Sequence, residues 1–298
     1  MALGDVVLVA TDLSDSADEA IKLGHEYAKR AGGKFVVCHV VHEVLRSAPL
    51  FPQAIQADME ALIHAESRAA AAVEDRVKDL TGLPSSGFEV RIESGGADAA
   101  ILRVAEDVSA TLVVTGSRGL TGIARLLLGN VAERIVRYAH CPVLVARPHA
   151  RSKKILAATD LSELSQPGVA LAGQVAAEQG AALTVVHALD VLPAPALGFT
   201  VPFGGAPIIP PPELIEQMRV GADGVVGGMI DRLGIKADRR VSEGDAATVV
   251  IRTAEELDVD LVVVSTHGRT GLARVALGSV AEKVVRGVQC SVLVARSH

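Results

Sequence analysis

The segment Val9-Ala10-Thr11-Asp12-Leu13-Ser14 returns as Ala157-Ala158-Thr159-Asp160-Leu161-Ser162, at an offset of 148. Gly119–Arg147 returns as Gly268–Arg296 at an offset of 149, with roughly 18 of 29 positions identical. Each copy must therefore reach the same fold from the same pattern. The repeat length equals an ordinary domain, so the chain is a duplicated domain rather than a solenoid of short units. The copies meet near Pro148–Ser152. The expected domains are 1–148 and 152–298.

Within copy one, short apolar runs alternate with helical spacing. Val6–Ala10 reads as a fully buried strand. Asp15–Ala31 places Ala17, Ala20, Ile21, Leu23, Gly24 and Ala28 on one side of a helix, which Gly32-Gly33 stops. Strands follow at Phe35–Val41, Phe88–Ile92, Leu112–Thr115 and Val143–Ala146, with helices near Met59–Leu80, Asp98–Asp107 and Leu128–Tyr138. Copy two repeats the order, with strands near Ile155–Ala158, Leu183–His187, Ala237–Val241, Leu261–Val264 and Val292–Ala295. Its loop Pro193–Pro212 holds more than half of the 13 prolines and is expected to gain order only by packing or from a partner. The pattern predicts an α/β fold: two tandem, doubly wound, parallel five-stranded sheets of Rossmann-like or flavodoxin-like order.

Composition narrows the function. Hydrophobic residues make up 49% of the chain but aromatics only 2%, so Val, Leu, Ile and Ala must fill the core. A net charge of −6 with no basic run argues against nucleic acid. No apolar stretch approaches the roughly 18 residues of a membrane helix, and with no basic residue in Met1–Asp5 and so short an apolar run at Val6–Ala10 a secretory signal is not expected. Cys38, Cys141 and Cys290 form no disulfide framework, which makes the cytoplasm the expected compartment.

In doubly wound sheets ligands sit at the carboxyl ends of the strands, where strand order reverses. Two features of each copy fall there. An acid follows strand one, Asp12 and Asp160. A glycine-rich segment follows strand four: Gly116-Ser117-Arg118-Gly119 then Gly129-Asn130, and Ser265-Thr266-His267-Gly268 then Gly278-Ser279. Glycines let amide N–H groups approach phosphate oxygens, and a helix start favours anions. An ionised carboxylate accepts from a ribose hydroxyl or an exocyclic amine. The same residues also have a purely structural reading. Asn130 and Ser279 suit an N-cap, with Glu133 and Glu282 completing a capping box, and Ser14 or Asp15 suits the cap of the first helix.

The spacing Gly-x2-Gly-x9-Gly-(Ser/Thr), with an Asp closing strand one and the ending Cys-Pro-Val-Leu-Val-Ala-Arg, resembles the ATP-binding branch of the universal stress protein family. The resemblance covers both halves. It implies ATP, with Mg2+ accompanying it, held with adenine near Asp12 and phosphates along Gly116, Gly119, Gly129 and Asn130. Val41, at the end of strand two, joins that binding set. In copy two the matching positions are Asp160, Ser265, Gly268, Gly278 and Ser279. It also implies pairing of the two fifth strands within one chain and leaves a further homodimer open. The departures are Asn130 for Ser or Thr, and Ser265 for the first glycine. A Cβ there restricts φ and is expected either to crowd the phosphates or to force a different turn, which ranks copy one as the better site.

Arg118 and His267 stand at one place in the two glycine loops, where they either meet phosphate or face solvent; Arg125 and Arg274 recur as well. Cys38-His39-x-x-His42 hints at a metal, but only the histidine at 39 returns, as His187, so a strand-end histidine beside the crevice is the better reading. No Lys stands in either glycine segment and no residue is nominated as a general base. The expectation is thus an ATP-binding regulatory or sensing module with an unknown protein partner, no catalytic residues and at most weak ATP hydrolysis. A slow ATPase using the same crevice and a chaperone-like interaction protein without nucleotide are the competing readings.

Overall fold

The computed structural model describes residues 2–41, 52–117, 128–149, 152–190, 211–266 and 277–296. Arg118, Gly119, Arg125, His267, Gly268 and Arg274 lie outside the described residues, as do His42 and nearly all of the Pro193–Pro212 loop.

The chain divides into two units, Met1–His149 with Gln289–Val294, and Ala150–Val288 with Ala295–His298. In the first, β1 (Val6–Ala10), β2 (Lys34–Val41), β3 (Glu89–Ser94), β4 (Leu112–Gly116) and β5 (Val143–Ala146) form a parallel sheet in the order β3-β2-β1-β4-β5. Connecting helices are α1 (Asp15–Ala31), α2 (Pro52–Thr81), α3 (Ala97–Asp107) and α4 (Asn130–Tyr138). In the second, β6 (Lys154–Thr159), β7 (Ala182–Leu189), β8 (Asp238–Glu243) and β9 (Leu261–Ser265) run parallel in the order β9-β6-β7-β8. Their helices are α5 (Gln166–Gln179), α6 (Pro212–Leu233), α7 (Ala246–Leu257) and α8 (Ser279–Gly287). The expected α/β fold is present in tandem. The strand order reverses beside β1 in the first unit and beside β6 in the second.

The last strand, β10 (Ser291–Ala295), has most of its residues in the first unit, where it pairs antiparallel with β5. Leu144 faces Leu293, its own counterpart at an offset of 149. Arg147 reinforces it, donating from its backbone N to Ser291 Oγ at 3.1 Å and from its guanidinium to the Cys290 carbonyl at 3.2 Å.

Val7, Leu8, Val9, Leu112, Val113 and Val114 are fully buried, as strands covered on both faces require. Helix α1 buries Ala17, Ala20, Ile21, Gly24, Tyr27 and Ala28. Leu23, expected on the buried side, is only half-buried, whereas Tyr27, which the pattern did not place there, is buried. Gly24 brings helix and sheet together, since a Cβ there would lie 2.2 Å from Val9 Cγ2. The glycine pair after α1 divides its work. Gly32 caps the helix in the left-handed region, at φ 62°. Gly33 lies against the Gly4 carbonyl, 2.0 Å from where its Cβ would be. Helices α2 and α6 both start on a proline of the expected loops, Pro52 and Pro212, because proline's fixed φ suits a first turn whose N–H is unused anyway.

Two stability outcomes are expected. Gly32→Ala should cost about 1 kcal/mol, the penalty of a Cβ in the left-handed region. Gly33→Ala, which meets backbone, should cost about 3 kcal/mol or more in urea unfolding. Burial, followed by the Glu93 charge, pushes the Cys38 thiol up to about 12. The folded state holds that proton more tightly than the unfolded chain, so this contribution is intact below the ordinary thiol range and is lost as pH rises through about 12. Stability should therefore fall above about pH 9, and Cys38→Ala should flatten that decline.

Candidate functional site

Each β1-type strand ends in a turn held by the same set of bonds. Thr11 N donates to the Cys38 carbonyl at 2.9 Å. The Thr11 carbonyl accepts from Nδ1–H of His39 at 2.9 Å, and Thr11 Oγ1 accepts from Leu13 N at 3.1 Å. Asp12 Oδ1 then accepts from Ser14 N at 3.0 Å and also from the Ser14 hydroxyl. In the second unit His187 donates to the Thr159 carbonyl at 2.9 Å, Leu161 N to Thr159 Oγ1 at 3.0 Å, and Ser162 N to Asp160 Oδ1 at 3.0 Å. The histidine donates through Nδ1 in both copies, because a carbonyl can only accept. The strand-end histidine expected beside the crevice thus holds the peptide that carries the acid.

These bonds impose a backbone that leucine does not choose. Leu13 sits at φ 63° and Leu161 at φ 66°, a left-handed conformation costing roughly 1–2 kcal/mol for a residue with a Cβ. Strain of this kind persists only where the surroundings determine it, and it clusters at ligand sites. Here it turns Asp12 and Asp160 at the carboxyl end of the sheet, and it does so twice.

The second feature faces the first across the reversal. Gly116 closes β4 beside β1, and Ser265 closes β9 beside β6. Neither residue has a positive φ, so the expected restriction of φ at Ser265 does not arise. Gly116 is required by proximity instead: a Cβ would lie 2.9 Å from the Ser16 carbonyl oxygen. The chain returns to the same point after the glycine loop. Gly129 N donates to the Ser117 carbonyl at 3.0 Å, and Gly278 N to the Thr266 carbonyl at 2.8 Å. The loop ends are therefore tied together in both copies.

The N-cap residues are Gly129 and Gly278, which places Asn130 and Ser279 at the first helical position. This corrects the capping-box reading. A glycine has no side chain to offer, and neither helix start has a side-chain cap bond. The glutamates meant to complete the box pair along the helix instead, Glu133 with Arg137 at 3.0 Å and Glu282 with Arg286 at 3.3 Å. Ser14 does cap α1, but its hydroxyl goes to Asp12 and not to the helix amides. A helix start without a side-chain cap keeps its amides and its partial positive charge for an anion.

Val41 ends β2 paired with Ser94, half-buried, and its carbonyl accepts from Gly95 N at 3.3 Å. Cys38 is buried with a thiol that stays protonated, and His39 is engaged with Thr11, which is the geometry of structural residues. The sequence reading missed the threonines at 11 and 159, although their recurrence was visible. It also missed Gly168, which has no counterpart glycine in α1. The arrangement offers a carboxylate acceptor for hydroxyl or amine groups and, across a strand-order reversal, a polar helix start for an anion.

A model of the universal stress protein family matches residues 5–147 and again 151–296. A universal stress protein of Mycolicibacterium smegmatis is 28% identical over 97% of this chain and 96% of its own length. The crystal structure of a universal stress protein from Archaeoglobus fulgidus covers 99% of both chains at 18% identity, with a TM-score of 0.63. A universal stress protein solved in complex with cAMP is 27% identical over 48% of this chain and 97% of its own, with a TM-score of 0.33. Matched twice and from end to end, the chain belongs to the universal stress protein family and carries two copies of its domain in tandem.

Proposed function

We propose that the chain binds an adenine nucleotide, ATP in the first instance, at the carboxyl ends of its sheets and serves as a nucleotide-dependent regulatory module of the stress response. The observation that carries this reading is the pairing of an acid turn with a helix start that has no side-chain cap bond, at the strand-order reversal. Asp12 supplies the acceptor for the nucleoside end, and Gly129 and Asn130 supply amides for the phosphate end. A nucleotide is a ligand with those two kinds of group at opposite ends. Gly116 fits the same ligand by keeping the seam between β4 and α1 tight without a side chain.

Regulation rather than turnover follows from what the site holds. Neither glycine segment contains a lysine to stabilise a transferring phosphoryl group. The imidazole of His39 is committed through Nδ1 to a backbone carbonyl. The acid turn is held by protein groups, so the carboxylate is in place to receive a ligand.

The test is thermal unfolding of nucleotide-stripped protein with ATP, with and without magnesium. At 100 times the dissociation constant, ATP should stabilise the fold by about 2.7 kcal/mol per site. Asp12→Asn keeps an oxygen for Ser14 but removes the charge, and should weaken binding at its repeat about 10- to 100-fold. No shift with ATP, ADP or AMP would overturn the reading. Phosphate release well above the buffer rate, lowered in Asp12→Asn, would move it to a hydrolase.

A further inference from the structure

Ser265 stands where copy one has Gly116, and the surroundings have changed with it. In copy one the first turn of α1 presses on Gly116, with the Ser16 carbonyl oxygen 2.9 Å and the Ala17 Cα 3.4 Å from where a Cβ would be. A serine there has no room. In copy two the corresponding helix starts differently: a 3-10 turn, Glu163–Ser165, precedes α5. The Ser265 hydroxyl donates to the Ser165 carbonyl at 3.2 Å. Gly168 lies over it, so that a Cβ on Gly168 would meet Ser265 Oγ at 2.5 Å and Ser265 N at 3.3 Å.

That seat is connected to the acid turn. Ser165 is buried, with its hydroxyl within 2.8 Å of both Thr159 Oγ1 and the Ser162 carbonyl. Thr159 Oγ1 is the acceptor that holds Leu161 in the left-handed region beside Asp160. Strand β9, the start of α5 and the acid turn thus form one hydrogen-bonded unit. The rest of the described site matches copy one: Asp160 bonds as Asp12 does, Gly278 ties to Thr266, and α8 starts without a side-chain cap.

We infer that Ser265 is a compensated replacement, seated against α5 by Gly168 and the 3-10 turn, and that the second repeat therefore binds an adenine nucleotide as the first does. This rests on the nucleotide reading given above, and it reverses the expectation that Ser265 crowds the phosphates. Gly168 is the positioning residue: it touches no ligand and acts by giving the serine side chain a place.

The experiment counts adenine nucleotide per full-length chain, after stripping, reloading with ATP at a fixed concentration and release by heat. Wild type should carry two, and Asp12→Asn should keep one. Gly168→Ala pushes the hydroxyl from its seat and should lower the count from two to one. Gly168→Ala with Ser265→Gly should restore two, a rescue that a general loss of stability would not give. If Gly168→Ala does not fold, the double variant at two against Asp12→Asn at one still decides the matter. One nucleotide in wild type with none in Asp12→Asn would overturn the inference while leaving the first site standing. None in wild type would instead remove the nucleotide reading itself. Two in Gly168→Ala would sink the role given to that glycine.

Discussion

Parallel pairing of β1 with β4, and of β6 with β9, is the constraint from which the site follows. Two buried parallel strands end at the same edge of the sheet while their connections leave in opposite directions. The edge then has a gap that no crossover covers. Residues following β1 and β4 must line it, whatever they are. The chain places an acid turn and a glycine there in the first copy, and an acid turn and a seated serine in the second. In the proposed reading, each acid turn acts together with the helix start that follows the glycine segment, at α4 in the first copy and α8 in the second.

The acid turns show how tertiary bonds decide a local conformation. Left to its own propensity, leucine avoids the left-handed region. At Leu13 and Leu161 three neighbours outweigh that preference: a threonine hydroxyl that accepts from the leucine N–H, a histidine that holds the preceding carbonyl, and an aspartate that closes the following turn. Net gains of about 1 kcal/mol for each such bond are enough to offset strain of the same order. The result is a carboxylate whose position is fixed by the fold before any ligand arrives.

Much of this was legible in the residues. The apolar runs Val6–Ala10 and Val143–Ala146 coincide with strands because full burial on both faces leaves them little else to be. Gly32-Gly33 ends α1 as its chemistry requires. The acid and the glycine at one crevice followed from strand order and a repeat. Other features were hidden because they arise between elements distant in sequence. Gly129 replaces Asn130 as the cap because the loop returns to the Ser117 carbonyl, a bond no local pattern announces. The 3-10 turn before α5 answers a serine 100 positions away. Ser265 itself read as damage from its added Cβ and restricted φ, and reads as accommodated once Gly168 is seen above it.

The most direct test of the central claim is a crystal structure of the full chain grown with a non-hydrolysable ATP analogue. The account predicts the nucleoside end beside the Asp12 carboxylate and phosphate oxygens on the amides that start α4. Analogue bound anywhere other than the carboxyl ends of β1 and β4, or acid turns relaxed out of the left-handed conformation at Leu13, would contradict it.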